Sequence, residues 1–296
     1  MPRRKDIWRC GVVRRSVAGI LEQGWHNAEI SWLPEEPRFS FLADPFGWNA
    51  DGVLQIFVER YDYRARHGVI DRLTLDQSLV VVETERCLHE PWHLSYPLVF
   101  EGEGETWMLP EAHRSGGLTL YRAGRDLADW RAETRIELDC VPVDATPLWH
   151  AGRWWLFYSP ANSRLTKISH LHVASAASLC GPWVPHPRNP VRVDRASARP
   201  GGRAVLIEGQ IMLPVQDCTT TYGGAIRPLW ITELTDGEFS AHTGAPLELP
   251  ATAGEPCEGM HTLSACGDLT LIDVKHIDSS FSGLLLDLGR AMRRSG

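Results

Sequence analysis

The sequence predicts an all-β fold, a five-bladed β-propeller built from the whole chain, residues 1–296, as one domain. Three observations predict it. A hairpin motif recurs five times, each recurrence is followed by one or two further strands, and the last repeat is short of a strand that the N-terminus can supply.

The recurring segments are "LADPFGWNADGVLQIFVE", "SYPLVFEGEGETWMLPE", "DATPLWHAGRWWLFYS", "RPGGRAVLIEGQIMLPVQD" and "GMHTLSACGDLTLIDVKH". In each, an apolar stretch runs into a glycine, a second apolar stretch follows, and the chain then breaks in polar or proline-containing residues. The marker glycines Gly52, Gly104, Gly152, Gly209 and Gly267 stand 52, 48, 57 and 58 residues apart. Short polar links such as "NADG", "EGEG" and "HAG" between β-branched and aromatic runs are hairpin signatures.

Blade one is expected at about 41–90, with "HGVIDRLTL" as its third strand and "VVVETER" as its polar fourth. Blade two spans about 94–140, with "GLTLYRA" third and "RAETRIEL" fourth. Blades three (143–190) and four (197–250) take "KISHLHVAS" and "GAIRPLWITEL" as third strands. Blade five, 258–290, reaches "GLLLDLG" and then has too few residues for a fourth strand. "IWRCGVV", residues 7–13, belongs to no repeat and is expected to complete blade five, closing the ring and removing the edges an open sheet would expose. A β-sandwich of similar hairpins is the competing fold.

Composition narrows the function. A hydrophobic content of 43% suffices for a real core, and net charge is −7. The 27 arginines are scattered rather than bunched, so no basic stripe offers itself to nucleic acid. No apolar run reaches the ~18 residues of a membrane span, and no signal-peptide pattern follows "MPRRK", so a cytoplasmic protein is expected. The seven cysteines are far apart and without a CxxC pair, which argues for free thiols. The 12 histidines form no HExxH and no His/Cys cluster, so neither a metal nor another cofactor is expected. The 12 tryptophans fit inter-sheet packing, with a minority free to stack on sugars.

The repeat also assigns register. Eight residues before each marker glycine stand Asp44, Tyr96, Asp144, Gly201 and Gly259; seven after it stand Glu59, Glu111, Ser159, Gln216 and Val274. These positions meet at the open end of each hairpin, about 25 Å from the turn at ~3.3 Å per residue. Asp44, Tyr96, Asp144, Arg199 and His261 are therefore expected around one axial pocket, with Glu59, Glu111, Gln216 and Asp217 as a second ring and Tyr222 nearby as a further ligand contact. Acids converging on a concave site raise each other's pKa and separate into proton donor and acceptor, the pairing that glycoside chemistry uses. Each residue also has a structural reading: Asp44 as a turn residue, Tyr96 as a hydrogen bond to a neighbouring blade, Arg199 as an ion-pair partner of Asp144 or Asp44, His261 as a satisfied core residue. Lys275 is read as a surface residue.

The "ADPF" that opens blade one, the "VDATPLWHAGRWWLF" that opens blade three and the five-unit layout resemble glycoside hydrolase family 43. More closely, "WRCGVV", "FLADPF", "SYPLVFEGEGETWMLPE", "RWWLFYS", "LCGPWVPHPRNPV", "ARPGG", "PVQD" and "YGGAI" resemble the N-terminal propeller domain of plant glucosamine inositolphosphorylceramide transferases and its bacterial counterparts, over about residues 7–290. The family-43 resemblance implies Asp44 as general base and Asp144 as the Asp that positions the substrate. The family's acid, a Glu at the start of blade four, is replaced here by Arg199 in "SARPGG". Glu208 lies at the wrong end of its hairpin, which leaves Glu111, or with less support Glu59, as donor. Arg199 in the ring implies an anionic group on a sugar or oligosaccharide ligand. The expected function is a glycosidase or glycosyl-transferring enzyme. The alternatives are a non-catalytic sugar-recognition propeller serving a separate catalytic or biosynthetic protein, and an enzyme of elimination or cyclisation on a sugar-derived metabolite.

Overall fold

A computed structural model describes residues 4–50, 52–254 and 256–294. Five antiparallel sheets stand around one axis, one per blade. Blade one runs Ser40–Ala50, Val53–Asp62, His67–Leu75, Val81–Leu88 outward from the axis, and blade two Ser95–Gly102, Glu105–Glu111, Leu118–Ala123, Trp130–Ile136. Blade three uses Pro142–His150, Arg153–Pro160 and His170–Ala176, and its outer edge is reduced to two-residue strands at Val184–Pro185 and Arg192–Val193. In blade four the inner strand is split into Arg199–Pro200 and Val205–Ile207 by "GGRA", and Gln210–Asp217, Ala225–Leu234 and Phe239–Thr243 follow.

The marker glycines are required by backbone conformation. Gly104, Gly152 and Gly209 have φ of 79°, 78° and 81°, and the residues before them, Glu103, Ala151 and Glu208, are also left-handed at 53°, 51° and 50°. Two successive positive φ values make the type I′ turn that suits twisted strands. A Cβ at these glycines would meet no atom within 4 Å, so torsion, not space, selects glycine. Gly52 has the same φ, 80°, and its neighbour Asp51 lies outside the described residues.

Blade five closes the ring as expected, by a different assignment of strands. Lys5–Val13 pairs along its whole length with Leu269–Asp278, so the N-terminal strand is third in the sheet, and Ile30–Trp32 is fourth. "GLLLDLG", expected to be that third strand, is instead part of a helix, Phe281–Arg294. With its place in the sheet taken, this segment satisfies its backbone groups internally. Its composition allows that, since no β-branched residue occurs in "FSGLLLDLGRAMRR". Lys5 Nζ to Asp287 Oδ2, 3.0 Å, pins the helix to the closing strand.

Packing follows the ring. Each of the five junctions between neighbouring blades has its own buried cluster: Phe57, Ile70, Val99 and Met108 between blades one and two, for example, and Cys10, Val12, Leu42 and Ile56 between five and one. Eleven of the twelve tryptophans lie in or against such clusters; Trp149, 49% exposed, is the exception. The axis itself is filled. Tyr96 packs edge-on against Phe46, and Arg203 reaches across from blade four to donate to the carbonyls of Val99 and Gly47. These groups make a floor that fills the axis below the polar residues of the inner strands.

Deleting residues 1–14 removes the central closing strand with its buried Trp8, Cys10, Val12 and Val13 and exposes the edge of Leu269–Asp278. The truncated chain is expected to lose its cooperative thermal transition in circular dichroism. A sandwich with a spare terminal strand would instead keep it.

Candidate active site

Three inner strands carry the same local irregularity. Asp44, Tyr96 and Asp144 have φ of 50°, 48° and 50°, and at each the strand pairing skips, between Ala43 and Phe46, Ser95 and Leu98, Val143 and Thr146. A left-handed non-glycine residue costs about 1–2 kcal/mol, and three in one register mark a place where the bulge re-aims side chains. Here it turns Asp44 and Asp144 to the axis above the floor, and Tyr96 into the floor itself. The second strands bring Glu59 opposite Ala43, Glu111 opposite Ser95, Ser159 opposite Val143 and Gln216 opposite Arg199.

Asp44 is 7% exposed. Its carboxylate accepts from Tyr96 N at 3.1 Å and from Thr262 Oγ1 at 3.0 Å, tying blade one to blades two and five. Burial pushes this carboxyl up to about 6; His261 pulls it back, while Asp273 and Asp144 add to the rise. Tyr96 takes up the structural role open to it: its hydroxyl donates to Gly202 O at 3.0 Å, accepts from Gly202 N at 2.8 Å and lies 2.9 Å from Thr146 Oγ1.

Opposite, Asp144 Oδ2 accepts from Arg199 Nε at 2.7 Å and from Gln216 Nε2 at 3.0 Å. Arg199 also donates to Lys167 O at 3.1 Å and lies over the Tyr222 ring, 5.0 Å from its centroid. Its charge is thus spent on Asp144, and the anionic ligand group inferred from Arg199 loses that support. Asp217 is turned out of the pocket, held by Thr219 and by Arg227 Nε at 2.9 Å.

The two glutamates differ sharply. Glu111 accepts from Ser95 Oγ at 3.1 Å, from His113 N at 2.8 Å and from the His113 ring. Burial alone would raise its carboxyl, but the His113 bonds and charge outweigh burial and hold it down at about 2. Glu59, 6% exposed, has no hydrogen bond within the usual distance among the described residues. His93 Nε2 stands 3.6 Å from it, on a ring that burial lowers to about 4. Burial, and then the charges of Asp44 and Glu111, push Glu59 well above the usual carboxylate range.

Blade five supplies residues that sequence register missed. Gly267 sits at the first central position of its turn, between the paired Cys266 and Leu269, whereas Gly104, Gly152 and Gly209 sit at the second. Counting from Gly267 therefore slips by one, and a one-residue slip exchanges the faces of a strand. The residue in register with Glu59, Glu111 and Gln216 is Lys275, not Val274. It is fully buried rather than on the surface, donating to Thr221 Oγ1 at 3.1 Å and to Tyr222 O. One turn of the pleat below lies Asp273, also fully buried. It accepts from Asp44 N at 3.0 Å, His261 N at 3.1 Å, Thr262 N at 2.9 Å and the His261 ring at Nδ1, 2.7 Å. Trp8, from the closing strand, stacks on His261 with centroids 3.6 Å apart, and Tyr222, 39% exposed at the mouth, stands edge-on to both.

Asp44, His261 and Asp273 bring one metal-ligating atom each within 4.8 Å of one another. Those of Asp273 and His261 are already committed to the hydrogen bonds just described, so the trio fits a protonated imidazole between two carboxylates better than a cation. Burial would lower His261, but Asp273 and Asp44 outweigh it and raise it. Chemically, the pocket sets two buried carboxyls side by side, Asp44 held at about 6 and Glu59 raised well above the usual carboxylate range, against an Asp144–Arg199–Gln216 hydrogen-bonded wall.

Comparison with known proteins agrees with this architecture. The chain is 35% identical over 204 residues to "Glucosamine inositolphosphorylceramide transferase 1" of Oryza sativa subsp. indica, which covers 68% of this chain and 27% of the relative. It thus spans about a quarter of that relative's length. In fold it is similar to the catalytic domain of the Coprinopsis cinerea GH62 α-L-arabinofuranosidase, with a TM-score of 0.59 and 12% identity over 82% of this chain and 93% of that one. It is similar also to CoXyl43, a GH43 β-xylosidase/α-arabinofuranosidase from a compost microbial metagenome, with a TM-score of 0.54 and 15% identity over 72% and 79%. Residues 34–263 match the family described as "Glucosamine inositolphosphorylceramide transferase 1, N-terminal", and the chain belongs to that family.

Proposed function

We propose that this propeller is a carbohydrate-active domain whose axial pocket works on a glycosidic bond, with Asp44 as proton acceptor and Glu59 as proton donor. The observation that carries this reading is the separation of the two carboxyls: Asp44 at about 6 and Glu59 well above the usual range, in adjoining register on one hairpin. Glu111, the donor expected from sequence, fits less well, because His113 keeps it ionised. Asp144 then positions the substrate, backed by Arg199 and Gln216, and Tyr222 lines the mouth. The names of the rice relative and of the two glycosidases support a sugar ligand.

The pH dependence follows. Turnover needs Asp44 ionised, so kcat/KM is expected to fall as pH drops below about 6, and to fall again on the alkaline side as Glu59 loses its proton. A Glu59→Gln variant is expected to lose about 10²–10⁴-fold in kcat on a glycoside with a poor leaving group, whereas Glu111→Gln stays within a few-fold. Assays against a panel of aryl and natural glycosides check this; equal activity of wild type and Glu59→Gln would sink the assignment.

A second reading is favoured by Arg199, which stands where a family-43 acid is expected and is neutralised by Asp144. On that reading the pocket recognises a sugar without turning it over. Calorimetric binding of a sugar with no turnover by any enzyme-free assay of its products would select it.

A further inference from the structure

The open end of the ring carries cations that the pocket described so far does not use. Among the described residues most arginines are ion-paired, such as Arg72 with Glu85 at 2.7 Å and Arg122 with Glu133 at 3.2 Å; Arg15, Arg125 and Arg195 are exceptions elsewhere on the ring. Arg66, Arg114, Arg164 and Lys167 make no ion pair among the described residues, and all four lie on the loops between second and third strands of blades one, two and three, the loops that surround the mouth.

These loops are tied to each other and to the pocket. Arg114 Nη1 donates to Arg66 O at 3.3 Å, joining the loops of blades one and two. Arg199 Nη1 donates to Lys167 O at 3.1 Å, joining the short helix Thr166–Ser169 of blade three to the pocket wall. Lys167 is half-buried, and its ammonium lies within reach of the charges of Glu111, Arg199, Arg114 and Asp144. Neither acid is free to neutralise it: Glu111 is engaged by Ser95 and His113, Asp144 by Arg199 and Gln216. A partly desolvated ammonium whose neighbouring carboxylates are already taken is a site waiting for an anion from outside.

We infer that this rim binds a phosphate group carried by the sugar ligand, with Lys167 and Arg114 as its principal cations and Arg66 and Arg164 at its edge. The inference rests on the reading of the axial pocket as a sugar site, since Lys167 is hydrogen-bonded through its carbonyl to Arg199 of the pocket wall. Cations carried on three neighbouring loops at one end of the ring suit a dianion with three free oxygens better than a single carboxylate. The phosphate could reach the rim on a soluble sugar phosphate or in a lipid headgroup, and the chemistry recognised is the same.

Calorimetry on the full chain tests it, with glucose, glucose 1-phosphate, glucuronate and inorganic phosphate as probes, and phosphatidylinositol against phosphatidylcholine vesicles for the lipid source. Glucose 1-phosphate is expected to bind at least tenfold more tightly than glucose, with an increment that shrinks between 50 and 500 mM salt, conditions that shorten the screening length severalfold. The Lys167→Gln/Arg114→Gln double variant, at exposed or half-buried positions, is expected to keep the wild-type melting temperature and glucose affinity while losing that increment. Selective binding of phosphatidylinositol vesicles, lost in the same variant, would assign the lipid source; binding of the soluble probe alone would assign the other. Glucose binding with no phosphate increment, a preference for glucuronate, or an increment that survives in the double variant overturns the rim and leaves the sugar pocket standing. Phosphate binding that depends on Lys167 and Arg114 without binding of any sugar sustains the rim and overturns the sugar reading.

Discussion

Asp273→Ala is expected to lower the melting temperature by roughly 10 °C or more, the largest stability effect of any single polar substitution in the ring. The fully buried carboxylate accepts four N–H groups, from the backbones of Asp44, His261 and Thr262 and from the His261 ring. Alanine leaves the three backbone N–H groups without this acceptor and the His261 ring with only Thr262 Oγ1, 3.2 Å away, and Asp44 Oδ1, 3.7 Å away. Each orphaned donor costs about 1–3 kcal/mol, and at about 2 °C or more per kcal/mol for a chain of this size the total moves the transition well outside error. Asparagine, which keeps one acceptor oxygen but replaces the other with an NH2 donor facing N–H groups, is expected to recover only part of the loss. Thermal unfolding followed by circular dichroism decides it: a change within 2 °C for the alanine variant would mean that water or a rearranged strand satisfies these groups.

Asp44→Asn is expected to abolish turnover, by about 10²–10⁴-fold, while making the protein more stable at alkaline pH. The two effects share one cause. Asp44's folded value, about 6, lies above the ordinary value of 3.8 that applies in the unfolded chain. A carboxyl raised on folding contributes stability that is fully present below about 3.8 and is lost as pH rises through about 6. At pH 8 the buried charge therefore costs up to about 3 kcal/mol, which the neutral amide does not incur. Melting temperatures of the variant and the wild type should converge at pH 3.5 and separate, variant higher, at pH 8. A variant less stable than wild type at both pH values would make Asp44 a structural residue. Function held at a cost in stability is the signature of a site rather than of a scaffold.

How much of this was legible depended on how each residue is placed. Asp44, Tyr96 and Asp144 were readable because the hairpin repeat fixes register, and in each of these hairpins the marker glycine directly precedes the second strand, which keeps the count constant. Lys275 and Asp273 were not, because Gly267 occupies a different position in its turn and the count slips. Trp8 stacks on a histidine 253 residues away, and no local pattern announces a stacking partner across a ring closure. Arg199's role depended on whether it faced Asp144 or a ligand, which only side-chain geometry decides. The contrast between Glu59 and Glu111 is of the same kind: both follow their glycine by seven residues, and His113 separates them. "GLLLDLG" was misread because a strand was needed there; its lack of β-branched residues already pointed to a helix.

The closing strand also imposes an order in time. Lys5–Val13 cannot pair until Leu269–Asp278 exists, so a strand that precedes blades one to four in chain order is docked only after them. Through most of translation an apolar segment containing Trp8, Cys10, Val12 and Val13 waits without its partner, while blades one to four can pair locally behind it. Contacts of such long sequence separation slow folding and lengthen exposure to aggregation. The pocket inherits this schedule. Asp44 meets Asp273 and Trp8 meets His261 only when the ring shuts, so the site comes into being in the final step, and a chain stalled one strand short has blades but no pocket.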